Sequence, residues 1–302
     1  GVGDDCALLQ PRPGTQLAIS SDMLVEGRHF FADTDAEGLG HKALAVNLSD
    51  LAACGARPLA FTLALALPQV DEPWLASFSR GLFALADAHG CELIGGDTTQ
   101  GPLNICITVL GETEGQPLLR SGAKAGDDLY VSGTLGDAHL ALQGLQGILN
   151  LSPDLLARTR KRLERPSPRV ALGLALRGIA HAAIDVSDGL LGDLRHVLKA
   201  SGVGAAIEVE RCQALLAAQT HADWPAVGSK ALAHVLAGGD DYELAFTAAP
   251  AMRAEVMRAA AQAHTPVTRI GRIESTPGLR LLDAQGQAVP DTYASFDHFA
   301  RA

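Results

Sequence analysis

No apolar stretch of the chain approaches the roughly 20 residues that a membrane-spanning helix requires. The best candidate, Phe61 to Leu67, stops at Pro68, so no membrane partner is expected. Aromatic residues are scarce, at 4%, and the five cysteines (Cys6, Cys54, Cys91, Cys106, Cys212) never form a C-x-x-C pair. An odd, scattered set of this kind indicates neither a disulfide framework nor a zinc site, and a reducing cytoplasm is the expected compartment. Basic charge is also short: the net charge is −10, and the one basic run, Arg158-Thr-Arg-Lys-Arg162, reads as a solvated helix face, so no nucleic-acid partner is expected. The phosphate-binding signature G-x-x-x-x-G-K-[ST] is absent, and Gly1-Val-Gly3 and Gly202-Val-Gly204 lack the third glycine of the dinucleotide fingerprint. The chain opens on Gly1 rather than Met, and we expect a preceding segment rather than an export signal.

What is present is a mean hydropathy of +0.14 and 47% apolar residues over 302 positions, enough for two cored domains. The pattern is α/β (α+β). A short strand is expected at Gln16–Ser20, and a helix over Leu39–Cys54, where Leu44, Leu48 and Leu51 recur at helical spacing. A strand over Pro58–Leu67 follows, then a second helix capped by Asp71 and ended by Gly90, then strands at Leu93-Ile94 and Leu103–Leu110. The Gly-rich connection Arg120–Gly126 marks the boundary between an N-terminal domain, 1–120, and a C-terminal α/β domain, 121–302. Beyond it the spacing is mainly helical to Ile179, then gives a strand at Ala182–Val186 and a helix with the stripe Leu190, Leu194, Val197, Leu198.

The chemistry is concentrated in carboxylates set among Gly, Ser and Thr: Asp4-Asp5, Asp22, Asp50, Asp97, Asp185, Asp188 and Asp240-Asp241. Asp22 and Asp185 are expected at or just past the C-terminal ends of strands, where ligands of α/β sheets sit. Asp50 falls on a helix face with Asn47, away from the leucine stripe. Hard oxygen donors without clustered Cys or His select Mg²⁺, Mn²⁺ or Ca²⁺. Taken singly, each such acid is equally well a helix cap or a turn residue.

The segments Gly3-Asp-Asp-Cys-Ala-Leu-Leu9, Ser20–Phe30, Lys42–Ala53, Ile94-Gly-Gly-Asp-Thr-Thr99, Arg120–Lys124, Ile184-Asp-Val-Ser-Asp-Gly189, Gly238–Leu244 and Phe296-Asp-His-Phe299 occur in an order that resembles the thiamine-monophosphate kinase family, of the aminoimidazole-ribonucleotide synthetase superfamily. The resemblance covers essentially the whole chain. It implies the two-domain aminoimidazole-ribonucleotide synthetase-like fold, with an N-terminal domain that pairs in a homodimer and an active-site cleft completed by the C-terminal domain. The implied reaction is ATP-dependent phosphorylation of thiamine monophosphate to thiamine diphosphate by direct in-line transfer on several Mg²⁺ ions. By similarity, Asp5, Ser20, Ser21, Asp22, Asp50, Asp97, Asp185 and Asp188 would hold the metal ions, with Asp22, Asp50 and Asp97 central to catalysis. Gly96, Asp97, Arg120 and Ser187 would contact ATP, and His29, Asp240 and Phe296 would face the thiamine phosphate. Three departures stand out against the family pattern: Gln100 where Arg is expected, Asp240 where Glu is common, and Phe296 in place of a hydroxyl-bearing or indole ring. Competing readings are a purine-pathway synthetase of the same superfamily, which the Asp241–Leu244 and Arg120–Lys124 segments disfavour, and a non-catalytic nucleotide sensor, which only Gln100 supports.

Overall fold

The computed structural model describes residues 5–224 and 231–293. A four-stranded sheet with strand order β1-β4-β2-β3 forms the first layer: β1 (Thr15–Val25), β2 (Arg57–Leu67), β3 (Glu92–Gln100) and β4 (Asn104–Glu114). Helices α1 (Ala36–Ala53) and α2 (Glu72–His89) cover its inner face. Asp35, in the acidic stretch before α1, caps that helix by accepting from the Gly38 N–H at 2.8 Å, and Asp71 does the same for α2 through Trp74.

The second sheet has seven strands in the order β11-β10-β7-β9-β5-β8-β6. They are β5 (Asp128–Ser132), β6 (Ala180–Val186), β7 (Gly204–Glu208), β8 (Glu243–Ala248), β9 (Val267–Glu274), β10 (Gly278–Leu282) and β11 (Ala288–Val289). Around them run α3 (Asp137–Leu145), α4 (Pro153–Glu164), α5 (Val170–Leu176), α6 (Leu190–Ser201), α7 (Val209–Gln213), α8 (Ala231–Ala237) and α9 (Arg253–Gln262). Among the described residues no helix is long and apolar enough to cross a membrane.

Two expectations need correction. β1 continues to Val25, so Asp22 lies within the strand, opposite Ile107, and not at its end. The Gly95-Gly-Asp-Thr-Thr99 stretch is not a junction but the body of edge strand β3. Glycine is required at position 96, because a Cβ there would strike the backbone of Leu63 on β2.

α1 is not the one-sided helix its leucine spacing suggests. Leu44, Leu48 and Leu51 are buried, but so are Lys42, Ala45, Val46, Asn47, Ser49 and Ala52 on its other faces. A helix enclosed on all sides lies at the centre of a molecule. Here β1 and β4 lie on one side, α2 on another, and α5 with β6 of the C-terminal region on a third. One apolar cluster accordingly joins Leu44, Leu48 and Phe61 to Leu172, Leu176, Phe246 and Val256, across the boundary between the two sheets. Gly173 permits the closest approach: a methyl group there would overlap the Ala52 carbonyl.

Candidate active site

Where α1 meets β1 and β6, three carboxylates, Asp22, Asp50 and Asp185, line one cleft. Ser20 and Asp22 occupy inward-facing positions of β1. The Ser20 hydroxyl donates to Asp50 on α1, and the Asp22 N–H donates to Asn47 Oδ1, one turn earlier, at 3.1 Å. Asp185, near the end of β6, accepts from the Ser49 hydroxyl at 2.8 Å. Adjacent residues of α1 therefore tie the helix to both sheets.

The charges are not neutralised by this arrangement. Burial, then Asp50, then Asp188, push the Asp22 carboxyl up to about 6. Burial also raises Asp50, against the Ser20 hydrogen bond and Arg120, and burial and Asp50 raise Asp185. Acids that resist losing their protons, chiefly because they are buried and partly because like charges are near, form an oxygen-rich site that suits a hard divalent cation. Among the described residues no three Asp, Glu, His or Cys side chains converge on a single point. Each ion would therefore take one or two carboxylates and complete its shell with phosphate oxygens and water, as Mg²⁺ commonly does.

Two openings meet at this group. A cleft of about 740 Å³ is lined by Asp22, Asp50, Asp185 and Asp188, and also by His29 and Asp240. A recess of about 340 Å³ is lined by Ser20, Asp50, Asp185, Cys54 and Arg120. Asp50 and Asp185 belong to both. Ser187 and Asp188 lie in the loop after β6, where Asp193 at the start of α6 accepts from both of their N–H groups, at 3.0 and 3.1 Å. His29 Nδ1 accepts the Val25 N–H at 3.0 Å, which leaves the imidazole proton of the neutral ring on Nε2.

The structure thus brings together Ser20, Asp22, Asp50, Asp185, Asp188, Ser187, His29 and Asp240, with Arg120 at the far side of the recess. It does not bring Asp97, Gly96, Ser21 or Asp5 to them within one chain. Asp97 lies on β3 and Asp22 on β1, at opposite edges of the sheet and three strand spacings apart, about 14 Å. They also face opposite ways. Asp97 is in register with Ala64, Cys106 and Met23, whereas Asp22 is in register with Ile107 and Leu63 on the inner face. Ser21 is on the outer face, 3.0 Å from the Thr108 hydroxyl. Asp5 is exposed and does not line the cleft. Gln100 reaches the Pro68 carbonyl at 3.3 Å, and Phe296 lies outside the described residues. Not anticipated from sequence were Ser49, Lys42, Tyr242 and Asp193. A charged or hydroxyl residue inside an otherwise apolar helical turn was the available signal for the first two.

Comparison with known proteins bears on the chain as a whole. The AIR synthase related protein, N-terminal domain, matches residues 3–113, and the corresponding C-terminal domain matches 124–284. The thiamine-monophosphate kinase of Salmonella typhimurium is 48% identical over 99% of this chain and 92% of its own length. The crystal structure of thiamine-monophosphate kinase from Stenotrophomonas maltophilia K279a superposes with a TM-score of 0.86 at 49% identity, over 96% of this chain and 91% of that one. A structure described as AaThiL complexed with AMPPCP and TMP gives a TM-score of 0.82 at 28% identity, covering 96% and 89%. With both family domains matched in order and near-half identity along almost the full length, the chain belongs to the thiamine-monophosphate kinase family.

Proposed function

We propose that this chain transfers the γ-phosphoryl group of ATP to the phosphate of thiamine monophosphate, giving thiamine diphosphate and ADP. The observation that carries this reading is the position of Asp50 and Asp185 between two openings, one holding His29 and Asp240, the other holding Arg120. A relative bound to AMPPCP and TMP supports the same pair of ligands. Phosphoryl transfer asks the protein mainly for positioning and charge stabilisation. Asp22, Asp50, Asp185 and Asp188, with Ser20, would hold the Mg²⁺ ions, which when bound neutralise phosphate oxygens and the charge that develops between them. Arg120 supplies a fixed positive charge on the nucleotide side. Ser187, whose N–H is held by Asp193, lines the cleft. His29 and the Asp240 carboxylate, which line the cleft, would face the acceptor. Direct in-line transfer between the two bound ligands, which the family resemblance implies, asks for positioning and charge stabilisation only.

The outer face of the first sheet supports pairing of two copies. Leu17, Ile19 and Met23 are 42%, 62% and 54% exposed on it, a larger apolar display than a solitary sheet face usually keeps. Two such faces stacked about a two-fold axis along the strands set β3 of one copy over β1 of the other. Asp97 then comes level with Met23, beside Asp22, of the second copy, and Ser21 lies at the same seam. This gives Asp97 and Gly96 a role that the single chain denies them.

The test is ³¹P NMR of the protein with Mg²⁺, ATP and thiamine monophosphate, each omitted in turn. Thiamine diphosphate signals are expected only when all three are present. ATP consumption that is indifferent to thiamine monophosphate would overturn the reading.

A further inference from the structure

Lys42 is 3% exposed, an unusual burial for a lysine, and no role has been assigned to it above. Its Nζ donates to Asp240 Oδ1 at 2.6 Å and to the carbonyl of His29 at 3.4 Å. These are the two residues that face the acceptor, one from each domain, and a single ammonium on α1 links them. Tyr242 also approaches Asp240 Oδ1, at 3.5 Å, so the protein contacts of that carboxylate fall on one oxygen. Oδ2 accepts nothing among the described residues. The backbone around Asp240 is itself constrained: Asp240 and Tyr242 both have positive φ, 67° and 53°, uncommon outside glycine, and the Asp240 N–H donates to the Ser187 carbonyl at 2.8 Å. A side chain on such a segment keeps one direction only if something holds it.

We propose that Lys42 is a positioning residue for acceptor binding: it fixes the separation of His29 and Asp240 across the cleft and turns Asp240 Oδ2 toward the bound thiamine monophosphate. The inference rests on the kinase reading above. It also addresses the departure at this position. Aspartate is one methylene shorter than the glutamate that the family resemblance leads one to expect, and a buried cation that holds Oδ1 places the shorter carboxylate in a defined position. Because Lys42 touches neither the carboxylate group of the metal site nor the recess with Arg120, its removal acts on the acceptor and spares the nucleotide.

The experiment measures acceptor and ATP KM, together with calorimetric binding of thiamine monophosphate and thermal midpoint, for the unmodified protein, K42M, D240N and K42M/D240N. K42M should raise the acceptor KM about 10-fold or more, weaken thiamine monophosphate binding in parallel and leave the ATP KM within about 2-fold, the signature of lost uniform binding. In the D240N background, K42M should add less than about 2-fold, since the ammonium acts through the carboxylate. Fully multiplicative effects, or an ATP KM that rises alongside the acceptor KM with a fallen thermal midpoint, would overturn the inference and make Lys42 a structural residue. If the unmodified protein neither binds nor phosphorylates thiamine monophosphate, the kinase reading itself fails, a result visible before any variant is made.

Discussion

At the scale of single residues, the carboxylate group makes an electrostatic demand that can be read in stability. In the metal-free protein Asp22 and Asp193 are each raised to about 6, largely by burial, from an ordinary value of 3.8. Below pH 4 both states hold these protons. As pH rises from there through 6, the unfolded chain releases them first, so the folded form loses stability across that window. Glu112, held at about 2 chiefly by the Arg57 hydrogen bond, adds an opposing slope that is largely spent by about pH 5. His41, His89 and His139, lowered chiefly by burial, act with the opposite sign in this range, so the acids are read through the metal: Mg²⁺ should raise the thermal midpoint of chelator-treated protein far more at pH 7.5 than at pH 5. Equal stabilisation by Mg²⁺ at both pH values would mean that it binds elsewhere. Most of these acids were legible in sequence from their Gly- and Ser-rich settings, but their company was not. The spacing of Asp97 says nothing of which sheet face it takes, because in a strand that depends on register with β2. Lys42 was hidden for a related reason: a lysine on a helix reads as solvated until the element that covers it is known.

At the scale of elements, periodicity located α1, α2 and α6 and the strands beside them, since each has a repeated apolar pattern of sufficient length. It missed β7, a five-residue strand of Gly, Ala, Ile and Glu, and stopped β3 short of its glycines. Small residues carry little pattern, and strand identity there is set by neighbours. The same small residues decide how α1 packs. Gly173 lets α5 lie against α1 at Ala52, two residues after Asp50. Gly173→Ala should cost about 1–3 kcal/mol as an overpacking substitution. It should also reduce turnover beyond what the lost stability explains, because it pushes the helix that carries Ser49 and Asp50. Chemical denaturation alongside activity at a temperature where both proteins are folded checks this. Loss of stability with unchanged turnover would show that α1 holds its position without α5.

At the scale of the whole molecule, the outer sheet face predicts assembly. Ile19→Lys puts a charge in the middle of the exposed apolar strip and leaves every inward-facing residue of β1 in place. It should convert a dimer into monomers in sedimentation equilibrium, and turnover should fall with dimer content if Asp97 serves the second copy's site. Monomers with full activity would place the whole reaction within one chain. The Gly-rich connection near Arg120 was the ground for expecting a domain division there; the first sheet precedes it and the second follows it, but one apolar core spans both parts. α1 is covered partly by α5, which is itself packed on α9, and these come from residues 170–176 and 253–262. At ribosomal speeds of about 5–20 residues per second, roughly ten seconds or more separate synthesis of α1 from that of α9. Through that interval this buried helix has only part of its cover. The nascent N-terminal half is thus a natural client for chaperones, and a protein truncated after the first sheet should aggregate rather than fold.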